Sequence, residues 1–186
     1  MSSALQNKTV AILATDGVEQ VELTEPKKAV EQAGATTRLL SIKDGEIQGM
    51  HHDKPGDKLK VDGRVSDANV DDFDALILPG GVANPDALRM DEAAVGFVRD
   101  FFRSGKPIGV ICHGPWVMIE ADVVRGRRMT SWPSVRTDLR NAGAEVVDEE
   151  VVTDKGIVSS RKPEDLPAFC KKIVEEFAEG RHAPRT

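Results

Sequence analysis

The stretch Pro107-Ile-Gly-Val-Ile-Cys-His-Gly-Pro115 joins a short apolar run directly to a cysteine, a glycine and a proline. A continuous, partly β-branched run of this length is typical of a strand buried on both faces of a sheet. Helical spacing begins at Trp116, so the stretch predicts a strand, a sharp turn and a helix, with Cys112 in the turn. A nucleophile in such an elbow has its side chain pushed out at the edge of the sheet.

The rest of the chain alternates between buried strands and amphipathic helices. Strands are predicted at 9–15, 36–42, 73–78 and 107–111, and helices at 21–33, 91–104, 116–124, 134–141 and 166–179. The first helix is expected to start near Thr24, because Pro26 is tolerated only in a first turn. A β-hairpin is predicted within 44–67, and residues 181–186 are expected to be frayed. This alternation indicates an α/β fold with a parallel sheet covered on both faces.

Ligands of such sheets bind at the carboxyl ends of the strands. Three predicted strand ends carry unusual residues, namely Asp16 to Glu19, Pro79 to Gly81, and Cys112 to Pro115. We therefore expect the functional site to lie where these three segments meet.

Length and composition limit the classes of protein and partner. The 186 residues, 40% hydrophobic and 30% charged, predict one globular domain over 1–186 with its core at about 8–180. A net charge of −6 and the absence of Tyr argue against nucleic acid as a stable partner, and no apolar run predicts a membrane span. The start of the chain has no signal-peptide pattern, and Cys112 and Cys170 do not form a disulfide framework, so a cytoplasmic location is expected.

Cys112 is a candidate nucleophile on the basis of its turn alone. Its thiol should lie near the first N–H groups of the following helix, which would lower the pKa of the thiol. The alternative is a small buried core residue. His113 can act as a base only if the turn is distorted, because adjacent residues of a regular helix do not face each other. Gly114 would allow the tight packing that such a turn needs.

Three longer motifs resemble the PfpI family of the ThiJ/PfpI superfamily, which is related in fold to class I glutamine amidotransferases. They are Ile111-Cys-His-Gly-Pro-Trp116, Glu120-Ala-Asp-Val-Val-Arg-Gly-Arg-Arg128 and Thr137-Asp-Leu-Arg-Asn-Ala-Gly-Ala-Glu145. The likeness also includes segments 17–23, 78–81 and 158–161, and it runs from about Val10 to Phe177. The resemblance implies a flavodoxin-like three-layer sandwich with a mostly parallel central sheet and Cys112 as the nucleophile of the elbow.

The resemblance also implies two acidic site residues. Glu19 is expected to lie against the Cys112 sulfur, protonated because of desolvation and like-charge repulsion, and to donate a hydrogen bond to it. Asp86 of a neighbouring subunit is expected to orient His113, which requires a homodimer or a higher homo-oligomer. The alternatives are an ordinary helix-start carboxylate for Glu19 and a helix N-cap for Asp86.

Three glycines are the expected oxyanion and substrate-binding positions: Gly80, Gly81 and Gly114. By the same resemblance, the backbone N–H groups of Gly81 and His113 would stabilise a developing oxyanion. The alternative for the Gly80-Gly81 pair is a plain turn.

No metal or organic cofactor is expected. His51-His52-Asp53 lies on a predicted loop without spaced ligands to support it, and the chain has no phosphate-binding glycine loop. His182 does not supply the His-x-Glu pair of amidotransferases, which argues against glutamine hydrolysis. Cys170 is in phase with apolar helix residues and is interpreted as core packing.

Two classes of function follow. The first is a stress-protective cysteine-dependent hydrolase or lyase, acting on reactive carbonyls or glycation adducts (glyoxalase or deglycase type) or on peptides. The second is a non-enzymatic redox sensor or chaperone in which Cys112 oxidises to sulfinic acid.

Overall fold

A seven-stranded sheet forms the centre of the molecule in the computed structural model, which describes residues 3–186. The strands are β1 (Thr9–Leu13), β2 (Val18–Glu19), β3 (Thr36–Ser41), β4 (Glu46–His51), β5 (Lys54–Lys60), β6 (Gly63–Arg64), β7 (Ala75–Leu78), β8 (Ile108–Ile111), β9 (Arg128–Met129), β10 (Glu145–Val146), β11 (Val152–Asp154) and β12 (Ile157–Ser160). The helices are α1 (Gln20–Gln32), α2 (Ala83–Leu88), α3 (Glu92–Arg103), α4 (Pro115–Glu120), α5 (Arg136–Asn141) and α6 (Leu166–Glu179). The sheet order is β11-β12-β8-β7-β1-β3-β6, and in this part of the chain only β11 runs antiparallel to its neighbour in that sheet.

Helices cover both faces of this sheet. On one face α1 and α6 pack together through buried residues such as Val30, Phe169 and Ile173. On the other face α3 contributes Phe97 and Phe101 to a second core, to which α2, α4 and α5 also contribute. The predicted three-layer α/β architecture with a mostly parallel sheet is therefore confirmed. Across residues 3–186, none of the helices is long and apolar enough to cross a membrane.

The sheet order places three strand ends side by side. Strands β8, β7 and β1 are neighbours and parallel, so their carboxyl ends share one edge. They lead into Cys112, Pro79-Gly80-Gly81 and Asp16-Gly17 respectively. The central sheet thus brings together the three segments that the sequence singles out.

The predicted hairpin within 44–67 forms a small separate sheet. Strand β4 pairs antiparallel with β5 and parallel with β2. Gln20 clamps the hairpin to the start of α1: its side-chain Nε2 donates to Asp57 Oδ2 at 2.9 Å, and its Oε1 accepts the Asp57 N–H at 2.7 Å. The hairpin is therefore fixed beside the strand ends.

The first helix lies within one residue of the predicted bounds 21–33, and only the later start near Thr24 is wrong. Helix α1 begins at Gln20 rather than near Thr24, and Pro26 lies inside it. A proline there cannot donate to the carbonyl of Glu22, four residues earlier, so one helical hydrogen bond is missing. Pro26 is nevertheless buried on the packed face of α1, although the helix lacks one hydrogen bond there.

The C-terminal tail is anchored rather than frayed. The guanidinium of Arg185, a residue only 7% exposed, donates to four backbone carbonyls. These belong to Phe102 at 2.8 Å, Lys155 at 3.0 Å, Lys106 at 3.1 Å and Gly105 at 3.4 Å. Burial lowers the pKa of Arg185 to about 10, which leaves it charged at neutral pH. The tail therefore supplies donors for carbonyls near the end of α3 and in the turn between β11 and β12.

Replacing Arg185 by Ala should lower the free energy of unfolding by about 2–4 kcal/mol, because four carbonyls lose a charged donor. Urea denaturation followed by circular dichroism measures this change. Arg181→Ala, which alters an exposed arginine of the same tail, is the matched control. Equal stabilities of the two variants would contradict the anchoring role.

Candidate active site

Cys112 occupies a strained elbow between β8 and α4. Its φ angle is +64°, in the left-handed region that residues with a side chain seldom adopt. The turn is held on both sides, because the Cys112 N–H donates to Ser160 O at 3.0 Å and its carbonyl accepts the Trp132 N–H at 3.0 Å. The sharp strand–turn–helix geometry expected from the sequence is present.

The distorted turn brings two adjacent side chains together. His113 Nδ1 lies 3.2 Å from Cys112 Sγ. The imidazole lies between two aromatic rings, edge-on to Trp116 at 5.1 Å and stacked with Trp132 at 5.8 Å. Burial lowers the pKa of His113, which favours the neutral ring. A neutral imidazole at this distance can accept the thiol proton.

The carboxyl that faces the Cys112 thiol belongs to Glu22, contrary to the expectation for Glu19. Glu22 is fully buried, and its Oε1 accepts the Gly80 N–H at 3.0 Å. Burial raises the pKa of Glu22 to about 8, and the nearby charge of Glu19 adds to this effect. Glu22 is therefore mostly protonated at neutral pH.

Glu19 lies in the same cavity but has a different contact. Its two carboxylate oxygens accept the backbone N–H of His52 at 3.3 and 3.2 Å. His52 lies in the turn between β4 and β5, so Glu19 links the end of β2 to the hairpin. The predicted contact of Glu19 with the sulfur is wrong, because Glu19 bonds the hairpin and Glu22 is the carboxyl beside the thiol.

The expected lowering of the Cys112 pKa is also wrong for the single chain. Cys112 is 6% exposed, and its burial raises the pKa of the thiol, as does the neighbouring Glu22, while the N–H groups of Gly81 and His113 oppose this rise. Helix α4 has six residues, so its N-terminus offers little to offset burial. The thiol thus needs a proton acceptor, and His113 Nδ1 is in place for that role.

The backbone N–H groups of Gly81 and His113 act to lower the pKa of the Cys112 thiol, as donors near its sulfur do. They are the pair that the resemblance implies for an oxyanion. Gly81 has a φ of +79°, and a Cβ there would lie 2.5 Å from the carbonyl oxygen of Gly17. Only glycine fits this close approach of two loops.

Gly80 and Gly114 make room for the site but do not line its cavity. The Gly80 N–H is occupied by Glu22, and a Cβ on Gly80 would lie 2.7 Å from the Cβ of Cys112. A Cβ on Gly114 would lie 2.7 Å from the carbonyl oxygen of Leu78. The structure gives these two glycines a packing role, and their expected part in substrate binding stays a prediction.

Asp86 lies in α2 and pairs with a residue of its own chain. Its Oδ1 accepts from Arg89 Nη2 at 2.6 Å and Nε at 3.1 Å. The helix begins at Ala83 with Val82 at the N-cap, so Asp86 is not a cap. The Arg89 guanidinium packs over the Trp116 ring at 4.2 Å. A contact between Asp86 and another subunit stays a prediction.

The strand ends and the hairpin enclose a cavity of about 430 Å³. It is lined by Gly17, Glu19, Glu22, Met50, His52, Gly81, Val82, Ala83, Cys112, His113, Trp132 and Pro163. Sequence reasoning misses Glu22, Met50 and Trp132. Glu22 has no local signal of its own, because Glu19 ends β2 and only Glu22 lies in α1. Met50 and Trp132 reach the cavity through long-range packing that has no local signal.

The reactive groups at the cavity are the Cys112 thiol, the His113 imidazole and the carboxyls of Glu19 and Glu22, and a second histidine, His52, lines the same cavity. Within residues 3–186, the one group of three metal-ligating side chains that lie close together is outside this cavity. The arrangement is suited to nucleophilic attack with proton transfer and oxyanion stabilisation.

Glu22→Gln should make stability less dependent on pH. The raised pKa means that the folded state keeps a proton that the unfolded chain releases between pH 4.5 and about 8. Wild-type stability therefore falls as pH rises through this interval, by at most about 1.4 kcal/mol per pH unit from this group. The amide of the variant would keep the acceptor for the Gly80 N–H but would not titrate. Urea unfolding across this interval measures both slopes, and identical slopes would contradict the assignment.

Comparison with known proteins relates nearly the whole chain to one family. The DJ-1/PfpI family matches residues 8–176. The chain is 44% identical over 169 residues to "Putative cysteine protease YraA" of Bacillus subtilis (strain 168), covering 90% of this chain and 97% of YraA. It is 42% identical over 166 residues to "Deglycase TK1284" of Thermococcus kodakarensis, covering 89% of this chain and 97% of that protein.

A solved structure from Anabaena variabilis shows the same fold. It is a two-domain protein with DJ-1/ThiJ/PfpI-like and ferritin-like domains, and it matches with a TM-score of 0.85 and 35% identity. The match covers 91% of this chain and 48% of the two-domain chain. Since the family match spans most of the chain and both relatives align over nearly their full length, this protein belongs to the DJ-1/PfpI family.

Proposed function

We propose that this protein is a stress-protective, cysteine-dependent enzyme that converts reactive carbonyl compounds, either small α-oxoaldehydes or early glycation adducts. The observation that carries the proposal is the 3.2 Å contact between Cys112 Sγ and His113 Nδ1 beside the amides of Gly81 and His113. The names of TK1284 and YraA, a deglycase and a cysteine protease, support chemistry of this class.

The first step is addition of the thiol to an aldehyde carbon. For methylglyoxal, Cys112 Sγ forms a C–S bond, its proton passes to His113, and the carbonyl electron pair moves to oxygen. The amides of Gly81 and His113 stabilise that oxyanion, and His113 then returns the proton to give a hemithioacetal.

The second step moves a hydrogen between the two carbons of the substrate. A base removes the proton from C1, and a proton returns at C2, which leaves a thioester on Cys112. His113 is the candidate base, because burial lowers its pKa and leaves the ring neutral beside the sulfur. Glu22, mostly protonated because its pKa is raised to about 8, is the candidate acid that supplies the proton at C2. Water then hydrolyses the thioester to lactate and the free thiol.

The cavity favours small substrates over peptides. Its volume of about 430 Å³ falls within the range of small-molecule sites. The hairpin forms one wall of the cavity through Met50 and His52. Peptide hydrolysis remains the other substrate class of this proposal, supported by the name of YraA.

One observation favours a second candidate, redox sensing. The unpartnered Oε2 of Glu22 is buried beside Cys112, where it can hold an oxygen added to sulfur. One peroxide would convert the thiol to sulfenic acid and water, and a second would give sulfinic acid. This function needs Cys112 and Glu22 but not proton transfer by His113.

A second copy of the chain is the proposed partner. Three apolar side chains near α2 and the cavity are exposed: Met90 by 83%, Val82 by 57% and Trp132 by 37%. The Asp86 side chain, 54% exposed, lies on the same helix. A homodimer or higher homo-oligomer would cover this surface and bring Asp86 to the His113 of its neighbour.

The wild type should convert methylglyoxal to lactate, and Cys112→Ala should form none. His113→Ala should lower kcat by about 10²–10⁴, because a positioned base contributes roughly that factor. Enzymatic detection of lactate measures turnover by the wild type and by each variant. Intact-mass analysis after peroxide treatment measures oxidation of Cys112, which is the readout for redox sensing. No lactate from the wild type, with Cys112 oxidised equally in His113→Ala, would favour redox sensing over catalysis.

Mixing two inactive variants should restore activity if Asp86 serves the neighbouring site. Co-expressed Cys112→Ala and Asp86→Ala subunits would form mixed assemblies in which one site has both an intact thiol and an intact partner Asp86. Arg89→Ala is the control for the in-chain ion pair of Asp86. Light scattering that shows a monomer, or a lack of recovery in proven mixed assemblies, would contradict the shared site.

A further inference from the structure

The C-terminal end of α6 carries two glutamates that meet a histidine away from the active site. Glu176 and Glu179 are three residues apart, so they lie on one face of the helix. Gly180 ends the helix with a φ of +82°, and the chain then returns toward it. One ligand atom from each of Glu176, Glu179 and His182 lies within 4.8 Å of the other two.

Two buried atoms of this cluster have no hydrogen bond. Glu176 is 8% exposed, and its Oε2 is without a hydrogen-bond partner among residues 3–186, as is the buried Nε2 of His182. The two atoms face each other at 3.6 Å, which is too long for a hydrogen bond. Buried polar atoms of folded proteins nearly always have a hydrogen-bond partner, so a bound ligand between these two atoms would explain why they have none.

We propose that Glu176, Glu179 and His182 bind a divalent transition-metal ion, with Zn²⁺ as the best match. Zn²⁺ takes imidazole nitrogen and carboxylate oxygen at about 2.0–2.2 Å, which puts tetrahedral ligands roughly 3.4 Å apart. The 3.6 Å between Glu176 Oε2 and His182 Nε2 is close to that separation. Glu179 is exposed, and one of its carboxylate oxygens lies within 4.8 Å of the other two ligand atoms.

The surroundings favour a cation at this position. The end of α6 presents the negative pole of the helix, and two carboxylates add to it. The guanidinium of Arg185 lies close to the His182 ring and is the opposing charge, but carbonyls near the end of α3 and in the turn between β11 and β12 accept its hydrogen bonds. Three protein ligands leave the fourth position of the ion to water. The ion would join the tail to α6 and stabilise the folded chain in proportion to its occupancy.

The test is Zn²⁺ titration by calorimetry on the metal-stripped chain. Cys112→Ser and Cys170→Ser together provide a background in which thiols cannot bind the ion. One Zn²⁺ per chain is expected in that background, with a loss of at least about tenfold in affinity for His182→Ala and a smaller loss for Glu179→Gln. His51→Ala, which removes an exposed histidine elsewhere, is the matched control and should bind as the background does.

Thermal unfolding supplies a second readout. Added Zn²⁺ should raise the Tm of the thiol-free chain and leave that of His182→Ala unchanged. Failure of the thiol-free chain to bind Zn²⁺, or equal binding by His182→Ala, would overturn the proposal and leave Glu176 and His182 as an ion pair only.

Discussion

The hydrogen bond from the Gly80 amide to the buried carboxyl of Glu22 joins the two parts from which the site is built. Glu22 comes from the first turn of α1, whereas Gly80 follows the central strand β7. The bond holds a carboxyl in a place shielded from solvent, and this position is what raises its pKa. It also sets Glu22 against the thiol of Cys112. The chemistry of the site depends on this one buried acid.

Close contacts between the three strand-end loops keep this arrangement rigid. The buried amide of Asn84 accepts the Thr15 N–H at 2.7 Å and donates to the carbonyls of Pro79 and Gly80. The glycines allow backbones to approach where any side chain would collide. The left-handed conformation of Cys112 persists because neighbouring segments bond its N–H and its carbonyl. The unfavourable backbone conformation of Cys112 is thus offset by the hydrogen bonds and packing of the neighbouring loops.

The layered fold and half of the site could be predicted from the sequence. Strand and helix patterns are local, and so are the signals for Cys112, His113 and Gly81, which lie at strand ends or in the elbow. The acidic residue could not, because no local pattern distinguishes Glu22 from Glu19. In the structure Glu19 ends β2 and bonds the His52 N–H, whereas Glu22 is buried in the first turn of α1. The anchoring of Arg185 is equally beyond local patterns, because its acceptors lie 30 to 83 residues away.

The clamp between Gln20 and Asp57 has a consequence for how such proteins diversify. The hairpin of β4 and β5 supplies Met50 and His52 to the cavity, yet among the described residues it shares no strand pairing with the central sheet. The reactive groups belong to the central sheet and α1, so the two walls of the cavity are separable modules. Replacing the hairpin can change which molecules enter without moving the thiol. Selectivity and reactivity can therefore evolve on different segments of the chain.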